Sequence, residues 1–224
     1  METQTKPRIE VVQDVNPRVI YSALVIGPFD EAKAALEEKG YRVISLEDNA
    51  RLRIQEGKYS ENVSKNGNRT REAVVHIPQK GIFLTKNSPI MQNPEKATNC
   101  HRNNQEFYLN NDQVEESLAD SVELSNEYIP TNDFKNHIIT VYAFGEIAEQ
   151  YGQFLREAGI EEMPFWLTNL QDKPFARQVW FLRLDYGSGL LGDYRNLDCD
   201  DRVRGVRESA EVAAKTLGGL EKKI

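Results

Sequence analysis

Three acidic residues near the end of the chain are the first candidates for chemistry. Asp198, Asp200 and Asp201 lie close together in the sequence, and neighbouring carboxylates can bind Ca²⁺ or Mg²⁺ or act as acid and base in hydrolysis. An EF-hand loop would need Gly at its sixth position and Glu at its twelfth, and neither is present. A solvated acidic loop is therefore favoured over a metal site. A small α+β metal-dependent hydrolase that uses these three acids is the alternative function.

The histidines and cysteines form no recognisable catalytic or metal-binding pattern. His76 falls inside a predicted strand and His137 precedes one, so structural or exposed positions are expected for them. His101 follows Cys100, but no second Cys/His pair stands at zinc-ligand spacing. Cys100 and Cys199 cannot make a disulfide framework for this length, and free thiols are favoured over one bridge between them. We predict no metal and no cofactor.

Nucleophile and phosphate motifs are absent as well. The triplet Gly187-Ser188-Gly189 lacks the Gly-x-Ser-x-Gly spacing of a nucleophile elbow. The sequence contains no P-loop and no Gly-x-Gly-x-x-Gly after a predicted strand. We therefore predict a protein that is not an enzyme.

The residues around the acidic group have the composition of a binding loop. Tyr186, Tyr194 and Arg195 stand there among several Asp and Gly residues. Tyrosine offers a large contact area with few rotatable bonds, and small residues adapt to different ligands. An ordinary surface loop with two tyrosines is equally compatible with this composition. The stretch 175–207 is the candidate site.

Predicted strands lie at both ends of this stretch, around 179–181 and over 202–207. The apolar residues expected to hold the backbone in the core are Trp180, Phe181, Leu184, Val203 and Val206. The arginines expected to bond backbone or carboxylate groups, and not ligand, are Arg202, Arg204 and Arg207.

The rest of the chain predicts a single α+β domain over 1–224. Residues 1–17 are expected to form a loose arm, 56–70 a polar loop, 87–104 an irregular segment and 208–215 a weak helix. The units 20–46 and 138–167 share the pattern strand, helix, Gly stop, strand. Strands are predicted over 18–26, 41–46, 71–77, 81–85, 106–109, 138–144 and 165–167. Helices are predicted over 31–39 (Asp30 as N-cap, Gly40 as stop), 48–55, 113–124 (Asp112 and Glu115 as capping box) and 146–158 (Gly159 as stop).

Composition excludes two classes of partner. The chain has 224 residues, a net charge of −7 and no strongly basic block, whereas nucleic-acid binding needs clustered Lys and Arg. No run of about 18 apolar residues predicts a membrane span, and the N-terminus has no apolar signal-peptide region. A cytoplasmic location is expected unless another route exports the protein.

Three short segments frame the candidate stretch: Phe175-Ala176-Arg177, Val179-Trp180-Phe181 and Arg202-Val203-Arg204-Gly205-Val206-Arg207. They resemble the fixed framework of the variable region in diversity-generating retroelement proteins, most nearly the archaeal, Nanoarchaeota-type branch. The variable residues of that family are rewritten by adenine-directed mutagenesis through reverse transcription.

The resemblance implies an α+β, C-type lectin-like fold with mixed, mostly antiparallel strands and two main helices. It implies a non-enzymatic, receptor- or adhesin-like protein whose 175–207 region is diversified. The partner would be a protein or another surface ligand, with a symbiont or host cell as one source. Calcium-dependent lectin chemistry is not implied, because no Glu-Pro-Asn or Gln-Pro-Asp triplet is present. The candidate variable, ligand-binding residues are Leu182, Asp185, Tyr186, Gly187, Asp193, Tyr194, Arg195, Asp198, Cys199, Asp200 and Asp201.

The amino-acid usage of the stretch agrees with that mechanism. Replacing the adenines of an Asn codon gives codons that end in a pyrimidine, and these never encode Glu, Lys, Gln, Met or Trp. None of those five amino acids occurs over residues 184–203, although Glu and Lys are common elsewhere in the chain.

Overall fold

The computed structural model describes residues 8–12, 20–167, 171–192, 197–199 and 201–208. The strands are β1 (Arg8–Val12), β2 (Ile20–Gly27), β3 (Arg42–Val43), β4 (Asn68–Ile77), β5 (Gly81–Thr85), β6 (Phe107–Tyr108), β7 (Ser121–Leu124), β8 (Tyr128–Pro130), β9 (Glu162–Trp166), β10 (Phe175–Phe181), β11 (Leu190–Leu191) and β12 (Asp201–Glu208). The helices are α1 (Phe29–Glu38), α2 (Leu46–Glu56), α3 (Pro89–Gln92), α4 (Pro94–Arg102), α5 (Asn111–Ala119), α6 (Ile138–Phe144) and α7 (Ala148–Glu157), with 3₁₀ turns at Gly145–Ile147 and Leu184–Tyr186.

The strands form one mixed, mostly antiparallel sheet. Its main path runs β1-β2-β12-β4-β10-β11-β9-β8, while β3, β5, β6 and β7 pair at its sides. Only β12 with β4 and β11 with β9 pair in parallel among the described strands. Strand β12 lies in the middle and pairs with β2 along its whole length. The last described strand is therefore built into the centre of the fold.

Apolar side chains cover the sheet on both faces. Neighbouring strand residues point to opposite faces, and β4 shows this directly. Val74 belongs to a cluster with α2, α6 and α7, which includes Phe144 and Tyr151. Val75 belongs to a second cluster with α1 and α4, which includes Phe29. The helices thus pack in two layers, one on each side of the sheet.

The prediction of a strand over 138–144 is wrong, because these residues form helix α6. The β-branched residues of the segment favoured a strand. The observed burial has helical spacing instead: Ile138 is 69% and Val141 43% exposed, while Ile139 and Phe144 are buried. Packing against α2 and α7 overrides the local propensity. The unit 138–167 therefore begins with a helix and not with a strand, so it does not share the pattern predicted for 20–46.

The segment 87–104, predicted to be irregular, contains the helices α3 and α4. Pro89 and Pro94 had suggested irregular backbone, but each stands in the first turn of a helix. Proline is tolerated there because its missing N–H would have no partner within the helix. Ser88 caps α3 through a hydrogen bond from Met91 N at 3.2 Å.

The helix predicted over 113–124 is two elements. Helix α5 ends at Ala119, and residues 121–124 form β7, which pairs with β5. The capping box consists of Asn110 and Gln113, not of Asp112 and Glu115. Val122 and Leu124 are both buried, as alternation in a strand requires.

Several other predictions hold, some with shifted boundaries. The strands predicted over 71–77 and 81–85 are confirmed as parts of β4 and β5, which form an antiparallel hairpin. Gly40 and Gly159 end α1 and the α7 region with φ of 75° and 84°. Helix α1 begins at Phe29 after Pro28, so Asp30 is not its N-cap.

Two predictions at the strands differ in extent from the structure. The strand predicted over 41–46 is limited to the two residues of β3, Arg42–Val43. Residues 8–12 of the predicted loose arm pair with β2, and the helix predicted over 208–215 lies outside the described residues after Glu208. Within the described ranges, no helix is long and apolar enough to cross a membrane.

Candidate ligand-binding face

The stretch 175–207 is held at both ends by paired strands, as its sequence predicts. Strand β10 pairs with β4 and β11, and β12 pairs with β2. Between them the structure describes a turn over 182–189, strand β11, Gly192 and residues 197–199. The predicted site residues Asp193, Tyr194, Arg195 and Asp200 lie outside the described residues.

A buried arginine of α2 holds the turn over 182–189 from below. The Arg53 guanidinium donates hydrogen bonds to Leu182 O at 2.6 Å and to Ser188 Oγ at 2.6 Å. It also lies 4.0 Å above the centre of the Phe181 ring. The Tyr151 hydroxyl completes the cluster, 2.6 Å from Ser188 Oγ and 3.2 Å from the guanidinium. Hydrogen bonds from a charged donor are among the stronger ones, so this turn has a fixed base.

The backbone of the turn has little freedom. Leu182 N donates to Gly189 O at 2.9 Å and Leu184 N donates to Ser64 O at 2.7 Å. Gly187 and Ser188 have positive φ values of 77° and 56°. A Cβ on Gly189 would lie 2.7 Å from Pro164 O, so glycine is required there. The shape of the turn is set by bonds that do not involve its outward side chains.

Four of the predicted site residues lie on this turn. Asp185 is exposed, Tyr186 is 59% exposed, and Leu182 and Gly187 are half-buried. The Arg183 guanidinium lies 4.4 Å from the Tyr186 ring centre and 2.9 Å from the Asp185 carboxylate. A small cleft of about 250 Å³ adjoins the turn. Its lining residues are Lys58, Tyr59, Lys65, Ala158, Leu184 and Asp185.

The remaining predicted site residues precede or begin β12. Asp198 and Cys199 are half-buried. The Asp201 carboxylate accepts a hydrogen bond of 2.7 Å from the buried guanidinium of Arg69, which also lies 5.7 Å from the Trp180 ring centre. Asp201 therefore has a structural partner, unlike an acid that faces only solvent.

The described residues give no support to the metal-dependent hydrolase. They contain no group of three or more His, Cys, Asp or Glu side chains that could hold a metal ion, and Asp201 is engaged by Arg69. Neither Cys100 nor Cys199 forms a disulfide within the described part of the chain. His76 and His101 are buried, and burial lowers the pKa of each to about 4.

Four of the five apolar residues predicted to hold the backbone in the core are buried, namely Phe181, Leu184, Val203 and Val206. The prediction is wrong for Trp180, which is half-buried. Its side chain lies on the opposite face of the sheet from Phe181, against the backbone of Gly67.

The three frame arginines differ from one another. Arg204 is buried and donates to Asn62 O and, at 3.2 Å, to Ser22 Oγ, as expected. Arg207 instead lies over the Tyr41 ring, 4.8 Å from its centre. Arg202 is half-buried, and its Nε has no hydrogen-bond partner in the described part of the chain.

A second cleft, of about 310 Å³, lies at the other end of α2. Its lining residues include Ser45, Glu47, Arg71, Glu72, Lys86 and Asp120, and none of the predicted site residues. The buried Glu72 carboxylate accepts hydrogen bonds from Leu46 N at 3.1 and 3.2 Å. Burial raises the pKa of Glu72 to about 7.

The comparisons with known proteins give one match. No protein-family model matches the chain, and no curated protein matches its sequence. A solved structure, described as the accommodation of massive sequence variation in Nanoarchaeota by the C-type lectin fold, aligns over 92% of this chain and 99% of its own, with a TM-score of 0.59 and 16% identity. The chain has the C-type lectin fold. At this identity the likeness establishes the fold alone, and it confirms the fold class that the frame segments implied.

Sequence inspection missed the residues that hold the turn. Arg53, Tyr151 and Ser188 come from three distant parts of the chain. Arg53 carried a weak signal, because it lies on one helical face with Leu46, Asn49 and Ala50, and all four are buried. Nothing in the sequence indicated which loop it would reach.

Proposed function

We propose that this chain is a non-enzymatic, receptor- or adhesin-like protein whose C-terminal loop surface is diversified by a retroelement. The observation that carries the proposal is the separation between backbone support and outward side chains at 182–189. Arg53, Ser188 and Gly189 fix the turn, while Asp185 and Tyr186 point outward. Substitutions at exposed positions typically cost within about 0.5 kcal/mol, so such a surface can change while the fold persists.

Two further observations support this function. The C-type lectin fold of the matched Nanoarchaeota structure is described there as accommodating massive sequence variation. Residues 184–203 contain only amino acids that mutated Asn codons can encode. The partner is a protein or other surface ligand, and a symbiont or host cell would present one.

The ion pair of Asp201 sharpens the proposed set of exchangeable positions. Replacing Asp201 would remove a hydrogen bond of 2.7 Å that the buried Arg69 guanidinium donates, and hydrogen bonds that involve charged groups contribute about 1.5–3 kcal/mol. We assign Asp201 to the frame. The exchangeable set is Leu182, Asp185, Tyr186, Gly187, Asp193, Tyr194, Arg195, Asp198, Cys199 and Asp200. Gly187 has a positive φ, so Asn and Asp are the replacements it best accepts.

Sequencing the genomic neighbourhood tests the diversification. We expect a near-identical template copy of the codons for 175–207, with adenines at the variable positions, beside a reverse transcriptase gene. Sibling genes should differ at the exchangeable set and agree at Arg53, Ser188 and Asp201. Siblings that vary equally at frame and loop positions, with no template copy, would overturn the proposal.

A further inference from the structure

The strands β10, β11 and β9 carry two rows of side chains in register. Phe181 pairs with Leu190, and Leu190 pairs with Phe165. All three are buried in the cluster under α2, α6 and α7. A second row consists of the residues next to these in sequence: Trp180 on β10, Leu191 on β11 and Trp166 on β9. Trp180 pairs with Leu191, and Leu191 pairs with Trp166. Directly paired residues share a face, and successive residues alternate, so Trp180, Leu191 and Trp166 lie on the opposite face.

This second row, which we call the outer row, is partly open to solvent. Trp166 is 36% exposed, and Trp180 and Leu191 are half-buried. Tyr128 extends the row onto β8: it pairs with Pro164, two residues before Trp166, and is 60% exposed. Neighbouring strands lie about 4.8 Å apart, so the two tryptophans are about 10 Å apart across the sheet.

The outer row is continuous with the proposed variable surface. Leu191 is followed by Gly192 and then by the predicted site residues Asp193 and Tyr194. Gly187 and Gly189 of the 182–189 turn pack against Pro164 on this face of β9. A ligand that contacts the turn is therefore within reach of the tryptophans.

The charge around the row indicates the chemistry of the partner. Glu162 lies on the same face of β9 as Pro164 and Trp166, is exposed, and makes no ion pair with any described residue. The whole chain carries a net charge of −7. Aromatic rings attract cations over their faces, most strongly the ring of Trp. At Trp180 the guanidinium of Arg69 already occupies such a position, 5.7 Å from the ring centre.

We propose that the outer row, with Glu162 at its rim, is the constant part of the ligand site and binds an arginine- or lysine-bearing segment of a protein partner. The inference rests on the proposed function, because the exchangeable loops then add selectivity beside a fixed anchor. Trp, Tyr and Arg dominate the energetics of protein interfaces. The anchor supplies general affinity for cationic segments, and the loop residues distinguish among them.

Tryptophan fluorescence tests this inference directly, because the chain has two tryptophans and both lie in the row. The probes are acetylated tetra-arginine amide and, as charge control, acetylated tetra-glutamate amide. We expect a saturable emission change with the arginine peptide alone. Trp166→Ala should weaken its binding at least about fivefold, an effect of roughly 1 kcal/mol. Trp166→Phe keeps an aromatic face and should lose less affinity for the arginine peptide than Trp166→Ala. Circular dichroism checks that each variant is folded. Equal response to both peptides, or unchanged binding by Trp166→Ala, would overturn it.

A second experiment separates this inference from the proposed function. Binders are selected against the wild-type protein from a random peptide library and retested on Trp166→Ala and on Tyr186→Ser. Loss of peptide binding by both variants supports the outer row and the variable site. Loss of binding by Tyr186→Ser alone rejects the outer row as a ligand site and supports the variable site. Loss of binding by Trp166→Ala alone supports the outer row and rejects Tyr186 as a ligand contact.

Discussion

Arg53 Nη1 donates a hydrogen bond of 2.6 Å to Ser188 Oγ and so ties helix α2 to a turn 135 residues later in the chain. The same guanidinium bonds Leu182 O at the other end of the turn. No described carboxylate forms an ion pair with it, and its partners are hydroxyl groups, a carbonyl and the Phe181 ring. The turn is therefore shaped by the helix beneath it and not by its own exposed side chains.

Replacing Arg53 with Met should release the turn. The change removes the charged donor from the part-buried Leu182 O and from Ser188 Oγ, which keeps the Tyr151 hydroxyl as a partner. Hydrogen bonds to charged groups contribute about 1.5–3 kcal/mol each. We expect a loss of about 3 kcal/mol in the free energy of unfolding, measured by urea denaturation. The amide of Leu182 should also exchange faster with solvent.

Arg51→Met is the matched control for that experiment. Arg51 lies on the same helix, but it is half-exposed, and its ion-pair partner among the described residues is Glu47 at 2.5 Å, one turn earlier. Such pairs contribute about 0.3–0.5 kcal/mol. Equal losses for the two variants would show that α2 as a whole, and not the Arg53 clamp, stabilises the turn.

Tyr186→Ala should have little effect on stability. Its ring is mostly exposed, and its described ring contact is the Arg183 cation at 4.4 Å, an arrangement that contributes about 0.5–1 kcal/mol at an exposed site. Tyr151→Ala, at the buried tyrosine that contacts Arg53 and Ser188, should cost about 3–5 kcal/mol. Thermal unfolding of both proteins measures the difference. A loss for Tyr186→Ala as large as that for Tyr151→Ala would place Tyr186 in the frame.

Glu72 should make the protein less stable as the pH rises. Burial raises its pKa from 4.5 to about 7, so between these values the folded state binds a proton that the unfolded state has lost. Relative to Glu72→Gln, the free energy of unfolding of the wild type should fall by up to about 3 kcal/mol as the pH rises from 4.5 to 7. Above pH 7 the difference between the two proteins should stay constant. Urea denaturation across this range measures the difference. A constant difference between the two proteins would contradict the assignment.

His76 should make the protein less stable as the pH falls from 6.5 to 4, which is opposite in direction to the effect of Glu72. Burial beside Arg177 and stacking on Phe175 at 4.3 Å accompany a pKa lowered from 6.5 to about 4. The unfolded state therefore takes up a proton first as the pH falls, and stability is lost between 6.5 and 4. His76→Gln should remove that loss, so its stability relative to wild type should rise on acidification. The same rise in Glu72→Gln would show that the two groups had been assigned wrongly.

The parts of the fold that sequence patterns predicted are those where local pattern and packing agree. Strands β10 and β12 alternate apolar residues toward cores that bury Phe181 and Val203. The Gly stops after α1 and α7 follow from their positive φ angles. The C-type lectin fold was implied by the resemblance of the three frame segments and not by any periodicity.

The parts that failed depend on contacts between distant residues. Residues 138–144 have strand propensity but form a helix, because α2 and α7 offer a surface that a helix fills. Trp180 was assigned to the core from its apolar character, and its register with Leu191 puts it on the other face. The Arg53–Ser188 and Arg69–Asp201 bonds span more than a hundred residues each, and composition cannot indicate such pairs.

The most direct test of an exchangeable surface on a fixed frame compares two libraries displayed on yeast and sorted for protease resistance. One library randomises Leu182, Asp185, Tyr186, Asp198 and Cys199. The matched library randomises Phe181, Leu184, Ser188, Val203 and Val206, which are buried. Exposed and half-buried positions tolerate substitution far better than core positions. We predict that most members of the first library stay protease-resistant and few of the second do. Equal loss of resistance in the two libraries would contradict the account.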